Sequence, residues 1–304
     1  MGKIIAICNQ KGGTGKTTSS VNICAFLAAA KKKVLLVDID PQGNATTGLG
    51  VDHKGLQHSI YNTILEQVSV ADVMLQTSVP NLSLLPSHLD LTGAEVELVG
   101  VMGREFRLKK ALENIKDNFD LIIIDCPPSL GLLTINALTA ADSIIIPIQC
   151  EYYALVGLSL LARTMNLVKD HLNPTLEIEG VLLTMADYRT NLTNEVIEEA
   201  RTYFKHKVYN TVIPRNIKLT EAPGFGKPIV LYDRKSIGAQ KYWELCKEIV
   251  GPEQINDQDI ENTLSGVMAK EQGQNEAAGS RPGFVPPEGL QLEKEGGVNI
   301  YEQR

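Results

Sequence analysis

The chain has 304 residues, 43% of them hydrophobic and 21% charged, enough apolar material for one large domain or two. Its formal net charge of −7 excludes a protein that is basic all round and wraps nucleic acid on every face, while leaving room for a local basic face. No run reaches the apolar length of a transmembrane helix, no signal-peptide core opens the chain, and five cysteines without a CxxC pair suit buried free thiols in a reducing cytosol.

Ile4-Ile5-Ala6-Ile7-Cys8 reads as a buried strand and Ser19 to Ala30 as a helix. Between them lies Asn9-Gln10-Lys11-Gly12-Gly13-Thr14-Gly15-Lys16-Thr17-Thr18. Strand, glycine-rich loop and helix form the context that a phosphate-binding loop needs. Glycines let backbone N–H groups approach phosphate oxygens where a side chain would block them. The helix N-terminus adds partial positive charge. Lys16 is placed to reach the β- and γ-phosphates of a nucleotide, and the Thr17 hydroxyl to hold Mg²⁺. The loop departs from the common pattern, since Gln10 stands where that pattern has its first glycine. Lys11 adds a second cation, either an exposed surface charge or a group that reaches another subunit's nucleotide.

After Lys31-Lys32-Lys33, the run Val34-Leu35-Leu36-Val37 suits a strand covered on both faces by helices. It ends at Asp38-Ile39-Asp40-Pro41-Gln42-Gly43-Asn44. Carboxylates at the C-terminal end of a parallel strand face the ligand crevice. Asp38 and Asp40 alternate there and need not share a role; capping a helix is the alternative for Asp38. His58 to Gln67 and Ser69 to Gln76 read as short helices, Asn81 to Pro86 as a strand, and Asp90 to Leu98 and Arg104 to Asn118 as helices. Leu121-Ile122-Ile123-Ile124-Asp125 is a buried strand delivering a carboxylate, the Walker-B arrangement, in which Asp125 holds Mg²⁺ directly or through water. Pro127 and Pro128 stop that strand and stiffen a loop suited to sensing a γ-phosphate. Ser143 to Ile148 and Ile178 to Met185 read as strands, with Lys207 to Ile213 as the last strand. Ala154 to Asp170, Asn194 to His206 and Ser236 to Val250 read as helices. Alternating strands and helices predict one doubly wound α/β domain over 1–250, a mostly parallel sheet with helices on both faces. Residues 251–304 carry ten acids against four bases and read as a largely disordered tail, not needed for the fold.

Taken together, Lys11 to Thr18, Asp38-Ile39-Asp40-Pro41-Gln42 and Ile124-Asp125-Cys126-Pro127-Pro128 resemble the deviant Walker ATPases, and more narrowly the ParA/Soj family. Further matching stretches are Gln149-Cys150-Glu151-Tyr152-Tyr153-Ala154-Leu155, Arg189-Thr190-Asn191-Leu192 and Ile213-Pro214-Arg215-Asn216. The resemblance covers about residues 1–250. It implies a cytoplasmic, nucleoid-associated ATPase with a P-loop fold, weak until a partner stimulates it. It further implies a homodimer in ATP, non-specific binding of double-stranded DNA, and a ParB/Spo0J-type centromere-binding protein as partner. By the same resemblance, Gly12, Gly13, Thr14, Gly15 and Thr18 line the ATP site with Lys16 and Thr17, and Lys11 contacts the partner subunit's phosphates. Asp40 positions the attacking water, Asp125 serves the metal, Pro214 and Asn216 flank the adenine, and Arg189 and Lys218 contact DNA.

Two departures stand out. Val156 replaces a glutamate usual in the family, and Gly224-Phe225-Gly226 replaces a more polar turn, expected to alter only a surface loop. Residues 180–250 carry eleven bases against eight acids in an otherwise acidic chain, which suits a DNA face or merely a solvated one. A membrane-positioning switch of the MinD type shares such an ATP site, but it needs a basic amphipathic C-terminal helix that Pro282-Gly283-Phe284-Val285-Pro286-Pro287 cannot supply. No stable membrane binding is therefore expected. An iron–sulfur carrier would need Cys126 or Cys150 as a ligand.

Overall fold

The computed structural model describes residues 2–151 and 158–278. Seven strands form one sheet: β1 (Lys3–Ile7), β2 (Val34–Asp38), β3 (Leu75–Gln76), β4 (Leu82–Leu85), β5 (Leu121–Asp125), β6 (Ser143–Gln149) and β7 (Glu177–Thr184). Their spatial order is β3-β4-β2-β5-β1-β6-β7. All neighbours are parallel except the short β3, which runs antiparallel to β4.

The aliphatic runs form strands because both their faces are covered. All five residues of β2 and of β5 are buried. Successive side chains alternate between two cores. Ile4, Ala6, Leu35, Ile122 and Ile124 pack under the helices Leu132–Ala140, Leu158–His171 and Asn191–Phe204. Ile5, Ile7, Leu36, Ile123 and Leu182 pack under α1 (Lys16–Ala29) and the Ile237–Val250 helix. The sheet is thus doubly wound with helices on both faces, as the alternation of elements predicts.

Four expectations are corrected. Leu75–Gln76, read as the end of a helix, pairs with β4 instead. Lys207 to Ile213, read as the last strand, runs beside β7 without a continuous ladder: it makes the isolated bridge Val181↔Val208, followed by Ala186↔Pro214, and the Tyr209 and Ile213 N–H groups donate to the Val181 and Leu183 carbonyls. Its backbone is diverted by the Glu248 carboxylate, which accepts the N–H groups of Asn210 and Thr211 at 2.7 Å each. The third correction concerns the tail. A helix spans Asp257–Ala278; Ile255, Ile260 and Leu264 are buried in the α1-side core, and Val267 is buried as well. Positions 260, 264 and 267 lie on one helical face, a pattern hidden by the acidic residues between them. Residues 279–304 lie outside the described range, as does the beginning of the helix expected from Ala154, which is seen as Leu158–His171. Gly224-Phe225-Gly226 is more than a surface loop. Gly226 has φ +61°, and a Cβ there would lie 2.7 Å from the Cα of Gly50, itself at φ +80°.

Leu264 is 1% exposed. Its replacement by alanine is expected to cost about 3 kcal/mol and to lower the melting temperature by roughly 5–10 °C. Calorimetry on the full chain checks this, and an unchanged melting temperature would mean that the Asp257–Ala278 helix contributes nothing to the domain.

Candidate functional site

The loop from Asn9 to Gly15 leaves the C-terminal end of β1 at the centre of the sheet, between β5 and β6. Gly13 and Gly15 adopt φ of +74° and +85°, which side-chain-bearing residues rarely occupy. A Cβ on Gly12 or Gly13 would meet nothing within 4 Å. The loop therefore presents bare backbone to open space. Gly15 is the N-cap of α1, which has no side-chain cap and no acid in its first turn, so its leading N–H groups keep their partial positive charge.

Neighbouring strands brace the loop. The Asn9 amide donates to the Pro147 carbonyl at 2.7 Å and accepts the Lys11 N–H at 3.0 Å. The Thr184 hydroxyl, at the end of β7, donates to the Thr14 carbonyl at 2.9 Å. Neither residue stood out in sequence, because its partner lies more than a hundred positions away.

Lys16 is 6% exposed and donates its ammonium to the Lys11 carbonyl at 3.2 Å, curling back over the loop. Burial pulls its pKa down, and the Asp125 carboxylate is the largest influence opposing that. Asp125 is fully buried at the end of β5. Its Oδ1 accepts the Ser20 hydroxyl at 2.7 Å, whereas its Oδ2 is buried with no hydrogen-bond partner. Burial pushes this carboxyl up, opposed by the Ser20 and Thr17 hydroxyls. An orphaned carboxylate oxygen with the Thr17 hydroxyl at hand fits a divalent cation, which would offset the cost of burying the charge. Among the described residues, no group of three or more His, Cys, Asp or Glu is arranged to hold a metal ion. Thr17 and Asp125 would therefore leave most of the coordination sphere to phosphate and water, as suits Mg²⁺.

The two acids after β2 are separated by the structure. Asp38 pairs in register with Asp125 and is fully buried. It accepts the Thr46 N–H at 2.8 Å, the Thr46 hydroxyl at 2.7 Å and the Asp40 N–H at 3.2 Å. Burial first, then the neighbouring Asp125, pushes its carboxyl up. Its oxygens are occupied by Thr46 within α2 (Asn44–Gly48) and by the Asp40 N–H of the loop before it, so Asp38 braces that turn. Asp40 is 6% exposed; its Oδ1 accepts the Gln42 N–H at 3.0 Å, and its carbonyl is held by the Ser87 hydroxyl.

Lys11 lies at the loop entrance with its Nζ 3.4 Å from Glu151, whose other oxygen is 3.9 Å from Arg215. Pro214 bridges Ala186 just past β7, and the Asn216 side chain caps the Ile217–Glu221 helix by accepting the N–H groups of Lys218 and Leu219. Thr18 lies in the first turn of α1, and its carbonyl accepts the Asn22 amide at 2.8 Å. Val156 lies outside the described residues. Cys8 and Cys126 sit 2.8 Å apart beneath the loop, and all five cysteines are buried free thiols.

Arg189 and Lys218 stand apart from this cluster and are both paired. The Arg189 guanidinium clasps Asp187 through two bonds of 2.8 and 2.6 Å, which holds the Asp187 carboxyl down at about 2. Lys218 is 2.9 Å from Glu221 and 5.7 Å from the centroid of the Tyr232 ring. Among the described residues, no helix is long and apolar enough to cross a membrane.

Comparisons with known proteins agree with this geometry. A family model described as an AAA domain matches residues 2–178. The chain is 61% identical over 249 residues to the sporulation initiation inhibitor protein Soj of Bacillus subtilis, covering 82% of this chain and 98% of that one. It is 53% identical over 250 residues to the chromosome partitioning protein ParA of Myxococcus xanthus, covering 82% and 88%. A crystal structure named cobyrinic acid a,c-diamide synthase, from Mycobacterium smegmatis with a bound ATP analogue and magnesium, superposes with a TM-score of 0.73. It is 37% identical and covers 84% of this chain and 98% of that one.

Proposed function

Because the chain belongs to the ParA/Soj family of chromosome-partitioning ATPases, we propose that it is an ATP- and Mg²⁺-dependent dimerising switch that binds duplex DNA without sequence preference. A ParB-type partner releases it by stimulating slow hydrolysis, and its DNA binding associates it with the nucleoid. The observation that carries the nucleotide reading is the open glycine loop above Lys16, Thr17 and the orphaned Asp125 oxygen.

In this reading Lys16 exchanges the Lys11 carbonyl for β- and γ-phosphate oxygens, a stronger charge-assisted bond. Mg²⁺, when bound, would neutralise phosphate charge. Thr17 and Asp125 hold it, with Ser20 fixing the Asp125 rotamer. Gly12, Gly13, Thr14, Gly15 and Thr18 offer backbone N–H groups to the phosphate chain. Asp40 orients the attacking water, while Pro214 and Asn216 border the base. Lys11 leaves Glu151 to reach the partner subunit's phosphates, which makes dimerisation depend on nucleotide. Arg189 and Lys218 trade Asp187 and Glu221 for DNA phosphates.

Co-sedimentation with unrelated duplexes tests this. Binding is expected with ATP and a non-hydrolysable analogue and not with ADP. Arg189→Ala is expected to make the log–log salt slope shallower by about one per protomer, with dimerisation intact by sedimentation. Equal binding in ADP and ATP would remove the switch, and an unchanged slope would remove Arg189 from the DNA face.

A further inference from the structure

We propose that the N-terminal end of the Asp257–Ala278 helix masks a polyanion-binding face. Asp257, Asp259 and Glu261 occupy Lys247, Lys31 and Arg234, and so lower the affinity of this chain for duplex DNA. The proposal rests on the DNA-binding reading above and adds three bases and a built-in competitor to it.

Each of these three acids meets a base of the domain. Asp257 lies 3.5 Å from the Lys247 ammonium and accepts the Trp243 indole N–H. Asp259 lies 2.6 Å from Lys31, and Glu261 pairs with Arg234. Exposed ion pairs of this kind contribute little stability, so they do not explain why the segment is docked. Ile255, Ile260 and Leu264, at 4%, 4% and 1% exposure, do that by burial against the α1-side core. The apolar anchors hold the carboxylates at contact distance from the bases whatever the pairs themselves are worth. Any phosphate must therefore compete with a tethered anion rather than a free one, and a tethered anion acts at a high effective concentration.

One of the covered bases, Arg234, lies close in sequence to the candidate DNA face, and the other two extend the basic surface away from it along the docked helix. Arg234 follows Tyr232 by two residues, and the Tyr232 ring carries Lys218 at 5.7 Å. The charge balance points the same way: residues 180–250 carry eleven bases against eight acids, and residues 251–304 ten acids against four bases. The Soj relative is matched over 98% of its length by 249 residues of this chain, so this chain carries additional residues that Soj lacks.

The test compares the parent with Asp257→Asn/Asp259→Asn/Glu261→Gln, full-length and in the non-hydrolysable ATP analogue, on unrelated duplexes. Asp72→Asn/Glu113→Gln/Asp117→Asn removes the same number of charges elsewhere. The first triple variant is expected to bind about tenfold tighter at moderate salt, with a log–log salt slope steeper by about one to three per protomer. The second is expected to change affinity by less than about twofold, since screening confines a distant charge's influence. Adding Arg234→Ala and Lys247→Ala to the first variant is expected to return affinity toward the parent value. Equal effects of the two triples would overturn masking in favour of net charge, and an unchanged affinity and slope would overturn it outright. Failure of both parent and variant to bind DNA would instead overturn the DNA reading, and the masking with it.

Discussion

Lys16→Ala is expected to lower ATP affinity by a hundredfold or more, and with it to abolish dimerisation and DNA binding. Lys16 is the buried cation of a site that also holds Asp38, Asp40 and Asp125, at 0%, 6% and 0% exposure. Its ammonium is already stripped of most water and spends one donor on the Lys11 carbonyl at 3.2 Å. The desolvation cost is therefore met by the fold before any phosphate arrives, and a phosphate oxygen gains a charge-assisted bond in a poorly screened setting. Removing the ammonium leaves carboxylates facing an incoming polyanion, and breaking a buried charge pair costs about 3–5 kcal/mol. That corresponds to two to three or more orders of magnitude in affinity. Calorimetric titration with ATP and Mg²⁺ measures the loss, and thermal unfolding checks that the variant is folded. An unchanged affinity in a folded variant would overturn the phosphate-loop assignment.

Asp40→Ala is expected to bind ATP like the parent yet hydrolyse it at least about a hundredfold more slowly, the usual scale for a lost proton-handling or water-orienting group. The dimer should then persist in ATP and remain on DNA. The choice of Asp40 over Asp38 rests on occupancy. Both oxygens of Asp38 are taken by Thr46 and the Asp40 N–H. Asp40 instead has its backbone clamped, with its carbonyl accepting the Ser87 hydroxyl and the Gly43 N–H. With its Oδ1 engaged, among the described residues, by the Gln42 N–H alone, this carboxylate is held in place and less fully occupied than that of Asp38. Phosphate release under saturating ATP, with sedimentation in the same buffer, gives the result. Hydrolysis at the parent rate would move the role elsewhere.

The glycine loop after β1 was legible in sequence because everything that makes it is local: an aliphatic strand, three glycines and the start of a helix within about 20 residues. The Asp125 strand was legible for the same reason. What was not legible depends on distant partners. Asn9 and Thr184 brace the loop across the sheet, and no local pattern announces them. Ser20 was findable in hindsight, since position 20 lies one helical turn after Lys16 and so shares its face. The misread strand at Lys207 to Ile213 has suitable composition, but Glu248, about forty positions on, captures the Asn210 and Thr211 N–H groups in its middle. The docked helix was missed because composition outweighed three well-spaced aliphatic residues, Ile260, Leu264 and Val267.

Those diverted N–H groups have a consequence beyond the fold. Asn210 and Thr211 flank the β7 edge, where a continuous extra strand would have left a row of donors and acceptors open to solvent. With both N–H groups turned inward onto Glu248, little of that segment is left to template another chain. At the opposite edge, β3 is only two residues long and runs against the direction of the rest. A sheet blunted at both ends resists joining its copies edge to edge. On the proposed reading, in which copies gather along DNA, this leaves them free to meet through one specific face rather than to grow into fibres.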